Sequence, residues 1–364
     1  MIVRHEGAVR VEQRGSGDGW ILVEILGDAP TVIAEGIKQR QCRPLGNVYR
    51  GRMLTLVAGA IDTVRSSGQP VQVTLGETVG DIDLVVAKPV LGPGGDVLAV
   101  QIFTGRADSP VPQPHRAAGW EWNLSVSAGP RRTRWTREFR NLYGVADTRP
   151  DNDHFGLADL YRRVPRLSDI AVLMERVDNA RDGEFLSGEL IARHDDGTLR
   201  LVRFVRRAVA TPEGVVLRGV DHDVTHKTDV GELAIRVMDS DIASTVHAVA
   251  GVHAALVDSQ HGYAIKWITA PLTGLSAAAE GGQIGLLHGE DLAAVRQRIT
   301  ARVPGVARVA LSDGSWSRHT VRTFPVPGYG STPVVMMTFS GACPEQHAQQ
   351  VSGGGCAVPD CQLA

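Results

Sequence analysis

Apolar and polar positions repeat one arrangement three times along the chain: a strand-like run, a Pro/Gly turn and a second strand-like run. The three stretches are AKPVLGPGGDVLAVQIF (87–103), RRAVATPEGVVLRGVD (206–221) and RTFPVPGYGSTPVVMMTF (322–339). Their flanks carry β-branched and apolar residues, and their turns carry residues that accept tight backbone geometry. Val90, Val209 and Val326 hold matching places, 119 and then 117 residues apart. That period is the length of one small domain, so the pattern predicts three consecutive units of related topology.

The second and third units agree further upstream. Asp196-Gly197 and Asp313-Gly314 precede their hairpins by matching distances, and Asp-Gly suits a hairpin turn. Before each lies a helical stripe: Ile170, Leu173, Met174 and Val177 in one, Leu292, Val295 and Ile299 in the other. Shorter strands open each unit, GWEWNLSV in the second and VHAALVDSQHGYAIKWIT, two strands around a turn, in the third. The first unit differs: WILVEIL and TVIAEG read as strands, and MLTLVAGAIDTVRSSG as a helix before VQVTL and the hairpin. The expected fold class is α+β, with antiparallel sheets flanked by helices. The expected divisions are 1–112, 113–225, a helical linker at 226–250, 251–341 and a polar, Gly-rich tail at 342–364. In the linker, Val230, Leu233, Ala234 and Val237 make one apolar stripe.

Composition then narrows the function classes. The chain has 364 residues, a formal charge of -2, 43% hydrophobic and 21% charged residues, which fits globular folding. The near-neutral charge gives no general attraction to nucleic acid or anionic membrane. No apolar run reaches the length that spans a bilayer, and MIVRHEG has no signal-peptide core, so a cytoplasmic protein without membrane insertion is expected. Four scattered cysteines do not make a secreted disulfide framework.

The second unit resembles a PAS domain. WEWNLS…RWTREFRNLYG (Trp120 to Gly144) is similar to its opening strand and helix, and LRLVRFVRRAVATPEGVVLRGVDHDVTHK to its last hairpin, which closes on an Asp-x-Thr signature, here Asp223-Val224-Thr225. The third unit shares LLHGEDLAAV and LSDGSW but has MMTFSG in place of that ending, and VVAKPVLGPGGDVLAVQIF gives the first unit a likeness to GAF domains. Over roughly residues 15–341 the chain is similar to a small actinobacterial family of triple sensor-domain proteins, with one GAF and two PAS domains and no effector. The resemblance implies signal reception or protein interaction, and fold alone supplies no chemistry.

Candidate chemistry was weighed against that architecture. GVDHDVTHK packs Asp221, His222, Asp223 and His226 together, but on a strand His222 faces away from the two aspartates, which makes a poor chelate. Asp223 and Thr225 are expected instead at the junction, with Asp223 accepting from N–H groups at the start of the linker helix. QRQCRPLGN around Cys42 lacks the neighbours of a flavin-binding cysteine motif, and a loop or partly buried cysteine is expected there. Cys343, His347, Cys356 and Cys361 lack the Cys-x2-Cys unit of a strong zinc site, and GPGGDV lacks the Lys-Ser/Thr of a phosphate loop. In RRTRWTREFR, Trp135 and Phe139 stand i, i+4 as on an amphipathic helix. Trp120, Trp122, Trp135 and Tyr143 in the second unit, with Trp267 and Trp316 in the third, are the candidate lining of a ligand pocket.

The sequence therefore leads to a non-enzymatic cytoplasmic sensor that binds an unidentified small ligand or a separate effector protein, with homodimerisation left open. It names no cofactor and no resident metal. The alternatives are a metal-dependent hydrolase using His222, Asp223 and His226, or a ligand-free scaffold. If the linker helix transmits the signal, Leu233→Pro should uncouple the domains and change partner binding or small-angle scattering. An unchanged profile would remove that role.

Overall fold

The computed structural model describes residues 19–342 apart from 37, 80–81, 125–131, 146–154, 179, 213, 226–229, 283, 302 and 327–333. Its first part runs β1 (Trp20–Glu24), β2 (Thr31–Glu35), β3 (Lys38–Pro44), α1 (Gly51–Ser67), β4 (Val71–Val79), β5 (Ile82–Leu91) and β6 (Val97–Gly105). These strands form one antiparallel sheet in the order β3-β2-β1-β6-β5-β4. Helix α1 buries Met53, Val57, Ala60, Ile61 and Val64 against one face, beside Val23, Val85, Val100 and Ile102. Cys42, expected in a loop or partly buried, lies instead on the edge strand β3 and is exposed. A polar, charged strand that stops at a proline is well suited to an edge, where one row of backbone groups meets solvent.

The second part runs β7 (Ala117–Asn123), β8 (Arg132–Trp135), α2 (Arg137–Leu142), β9 (Phe155–Gly156), α3 (Leu157–Tyr161), α4 (Leu167–Asp178), β10 (Phe185–Arg193), β11 (Leu199–Thr211) and β12 (Gly214–Asp223). The second sheet has the order β10-β11-β12-β7-β8-β9, again antiparallel. Trp135 and Phe139 do not share a helix. Trp135 ends β8 opposite Trp120, and the Thr136 hydroxyl accepts from Phe139 N to start α2 between them. The N-cap breaks the stripe that spacing alone suggested. Helix α4 does carry Ile170, Leu173, Met174 and Val177 inward.

After α5 (Val230–Val249), the third part contains β13 (His253–Asp258), β14 (Tyr263–Trp267), α6 (Ala277–Glu280), α7 (Leu292–Ala301), β15 (Gly305–Ala310), β16 (Trp316–Pro325) and β17 (Val334–Ala342). Its sheet is antiparallel in the order β14-β13-β17-β16-β15, and Leu286, Leu287 and Val295 pack over one face. The described residues thus make a mixed α+β fold with three antiparallel sheets.

The second sheet is covered on both faces. Val205 and Val220 meet Leu22, Ile33, Val90 and Leu98 of the first sheet, while Glu24, almost fully buried, receives Arg207 at 3.3 Å. Farther along the same face, Leu233 and Val237 of α5 cover Ile191, Leu199, Leu201 and Val224. Val230 and Ala234, the other members of the expected stripe, stay exposed, because α5 touches the sheet over a short arc only. On the opposite face α2, α3 and α4 enclose a core that Leu256, Ile265 and Val334 of the third sheet complete.

Backbone meets backbone where the second and third parts join. A side chain on Gly156 would lie 1.8 Å from the Gly281 carbonyl oxygen, so that position requires glycine. Beside it, the buried Lys266 ammonium donates to the Tyr161 and Val164 carbonyls at 2.7 and 2.8 Å, where α3 ends. A cation suits those end-of-helix oxygens. Lys266→Met would leave the Val164 carbonyl without its donor, while the Tyr161 carbonyl keeps Val164 N at 3.1 Å, at a cost of about 1–3 kcal/mol. Urea unfolding should show that loss, with faster hydrogen exchange in β14 than in β1.

Candidate functional site

Inward positions of β7, β8, β10, β11 and β12 build one aromatic pocket in the second sheet, with Thr133 from β8 and Leu190 from β10 in its wall. Strand β7 supplies Trp120 and Trp122, β11 supplies Phe204 and Arg206, and β12 supplies Asp221. Phe139 and Tyr143 come from α2 and its end, Leu160 and Tyr161 from α3, and Leu173 from α4. The cavity is about 30 Å³. That is close to one water molecule's share of liquid volume, so side chains fill most of the space.

The rings hold one another at defined angles. Trp120 and Trp122 each present an edge to a neighbour, Phe139 at 6.5 Å and Tyr161 at 6.2 Å, and Phe139 stacks on Tyr143 at 4.5 Å. Such offset and edge-to-face arrangements satisfy the ring quadrupoles. Trp120 crosses its register partner Gly219, where a side chain would come within 2.3 Å of the indole. Trp135 stands one layer behind the cavity, stacked on Phe155 at 3.9 Å and donating to Thr133 Oγ1 at 2.9 Å.

The polar groups are few and convergent. Trp120 Nε1 donates to Asp221 Oδ1 at 2.7 Å and the Tyr143 hydroxyl donates to Asp221 Oδ2 at 2.5 Å. Burial pushes the Asp221 carboxyl up to about 7, against the opposing pull of those two donors and of the Arg206 charge. Burial and the Asp221 charge raise the Tyr143 phenol well above its ordinary value. Arg206 is itself buried and reaches towards the Leu173 carbonyl at 3.5 Å. Trp122 Nε1 is buried with no hydrogen-bond partner among the described residues. An apolar pocket with a donor to spare, a guanidinium and a carboxyl able to hold a proton at neutral pH can orient a small polar molecule.

Of the residues singled out by sequence, Trp120, Trp122 and Tyr143 line this cavity together. Trp267 lies elsewhere, 5.7 Å from Phe339 in the third sheet, and Trp316 is 42% exposed with its edge near His288. Asp221, Arg206, Phe204 and Leu173 are among the lining residues that the sequence did not assign to a pocket. Counting inward positions in twos from Val202 through Phe204, Arg206 and Ala208 would have reached Arg206, and the same count along β12 reaches Asp221.

The cluster in GVDHDVTHK separates across the strand. His222 lies on the opposite face, its ring 5.7 Å from His115 in the connector between β6 and β7, whereas Asp221 points into the pocket. Asp223 accepts from Thr225 N at 2.9 Å and Thr225 Oγ1 at 2.6 Å, and Arg200 stands 3.8 Å away. These bonds make a local Asx-type turn at the strand end. Residues 226–229, between this turn and α5, lie outside the described residues. Thr225 Oγ1 in turn accepts from Leu201 N at 3.1 Å, tying the strand end to β11. His226, like Cys343, His347, Cys356 and Cys361, lies outside the described residues. Among the described residues no group of three His, Cys, Asp or Glu side chains is arranged to hold a metal.

Comparison with known proteins bears on the fold. Residues 19–113 match the family described as Rv3651-like, N-terminal. No curated protein matches the chain. The crystal structure of an uncharacterized protein from Mycobacterium tuberculosis aligns with a TM-score of 0.70 at 23% identity, over 90% of this chain and 97% of that one. The two share a fold. An RNA-binding light-oxygen-voltage receptor aligns with a TM-score of only 0.25 at 13% identity, over 61% of this chain and 95% of that one, too remote to bear on either fold or function.

Asp221 makes stability depend on pH in a defined direction. Its folded pKa of about 7 stands above the unfolded value near 4, so the folded state keeps the proton between those limits and stability from this group falls as pH rises through them. Asp221→Asn cannot ionise. Its urea midpoint should gain on the wild type from about pH 4 to pH 7 and run parallel above.

Proposed function

We propose that the chain is a non-enzymatic sensor built from three tandem GAF/PAS-like domains, in which the aromatic pocket of the second receives a small polar ligand. The observation that carries this reading is the buried, unpartnered Trp122 Nε1 beside Arg206 and Asp221. A donor buried without an acceptor costs free energy, and a ligand acceptor would recover it. The ligand is small and bears a hydrogen-bond acceptor or a negative charge for Arg206. The wall must yield to admit it, because the cavity of about 30 Å³ is nearly filled.

The same wall offers a route out of the site. Leu160 and Tyr161 of α3 line the pocket, and the Tyr161 carbonyl is held by Lys266 of the third part. A ligand that displaces α3 would strain or release that grip, and so bias the arrangement of the second and third domains. Transmission of this kind requires that the ligand bind the two arrangements with different affinity. The receiving partner is a separate effector protein, and the setting is the cytoplasm.

Native mass spectrometry and an absorption spectrum of the purified chain test the reading first, followed by thermal-shift titration with small carboxylates and amides. A retained or added ligand should raise the melting temperature, and Arg206→Met or Trp122→Phe should weaken binding at least tenfold. Absence of any ligand response would leave the scaffold reading. Stoichiometric metal that disappears in His222→Ala would favour the hydrolase.

A further inference from the structure

We propose that the outward face of α5 is the contact surface of a two-fold homodimer, in which the α5 helices of two copies cross antiparallel at Ile242. This rests on the helix alone and is independent of any ligand in the pocket.

Helix α5 has two apolar faces. Leu233 and Val237 are buried on the second sheet. At about 100° per residue, Ile235, Met238, Ile242, Val246 and Val249 fall within an arc of about 80° on the other side. These five are 71%, 51%, 54%, 60% and 84% exposed. With Val230 they supply six of the twelve large exposed apolar side chains among the described residues. A single 20-residue helix thus concentrates half of that surface. Scattered exposed apolar residues need no explanation, but a continuous stripe marks an interaction site.

The order of residues selects the occupant. Successive steps along the stripe are 3, 4, 4 and 3 residues, a sequence that reads the same in both directions. Reversal about Ile242 exchanges Ile235 with Val249 and Met238 with Val246. In an isologous two-fold contact between antiparallel helices centred on Ile242, mirror positions meet, so this spacing sets every apolar residue of the stripe opposite another. A foreign helix or a parallel pairing imposes no such palindrome. Antiparallel crossing also opposes the two helix dipoles. The second sheet lies on the far side of each helix, and Asp241 is held at the flank by Arg193 at 2.7 and 2.9 Å, leaving the stripe clear.

The area sets the strength. A helix of this length is about 30 Å long, and two such faces pressed together remove roughly 700–900 Å² of surface. That is less than the ~1,200 Å² of a permanent interface, so the dimer is reversible, with a dissociation constant on the order of 10–100 µM.

Sedimentation velocity of the full chain over a wide concentration series tests the dimer. The mass should double towards the upper end, and Ile242→Glu should remain monomeric throughout with an unchanged circular dichroism spectrum. Arg236→Glu, off the stripe, should dimerise as the wild type does. Register is tested by oxidation in a background with the native cysteines replaced by serine. Ile242→Cys should cross-link to itself, while Ile235→Cys should do so only when mixed with Val249→Cys chains. A wild type that stays monomeric at every concentration, a dimer indifferent to Ile242→Glu, or self-linking Ile235→Cys would each overturn the proposal.

Discussion

Asp221 lies on the inward side of β12 beneath an indole and a phenol, and both of those rings use their only polar atom on its carboxyl group. A carboxyl so placed either keeps its proton or is charged at high cost, and the two donors are what make the position tolerable. The three residues come from β7, from the end of α2 and from β12, so one small polar node fixes two strands and a helix against each other. The ring geometry follows from it. Trp120 must cross Gly219 to reach Asp221, which in turn places Phe139 against Trp120 and Tyr143.

That node sits in a sheet with no free face, and the consequence runs through the whole chain. Strand β12 buries seven successive or near-successive residues from Val216 to Asp223 apart from half-buried Arg218, so it lacks the clean in-and-out alternation of a sheet with one wet side. One face takes the first sheet and α5, and the other takes the helices and the third sheet. The joints differ in character. The first is mainly apolar, with Glu24–Arg207 and Arg218–Asp96 as ion pairs, whereas the last adds to the apolar contacts of Leu256, Ile265 and Val334 the buried Lys266, which meets the carbonyls at the end of α3, and the missing side chain at Gly156. Burial, with Arg193 nearby, pulls the Lys266 ammonium down to about 7. A contact that is polar, buried and close to its titration point is easier to shift than an apolar one. It also abuts the wall of the pocket, where a sensor would need its movable part.

Helix α5 shows the same economy of surfaces. A helix that merely bridged two domains would be polar on the side away from the protein. This one is apolar on two sides, with Arg193–Asp241 between them, and its exposed stripe lies on the element that joins the pocket-bearing part to the third sheet. Association and ligand response would then act on adjacent elements of one structure.

Local pattern determined a good deal. The paired strands after each Pro/Gly turn, the helix carrying Ile170, Leu173, Met174 and Val177, and the aromatic character of a pocket around Trp120, Trp122 and Tyr143 are all legible in the sequence, since each depends on periodicity or residue type within one segment. The cysteine strand β3 was not legible, because an edge strand of polar residues has no hydrophobic alternation to reveal it. Nor was the break between Trp135 and Phe139, where a threonine cap outweighs a helical spacing. What only the tertiary structure decided is which neighbour each face would meet. Asp221 and Asp223 are two residues apart on one side of one strand, yet one enters an aromatic pocket and the other closes a turn with Thr225. Their difference comes from desolvation and partners supplied by residues about 80 to 100 positions away, and no local pattern encodes those.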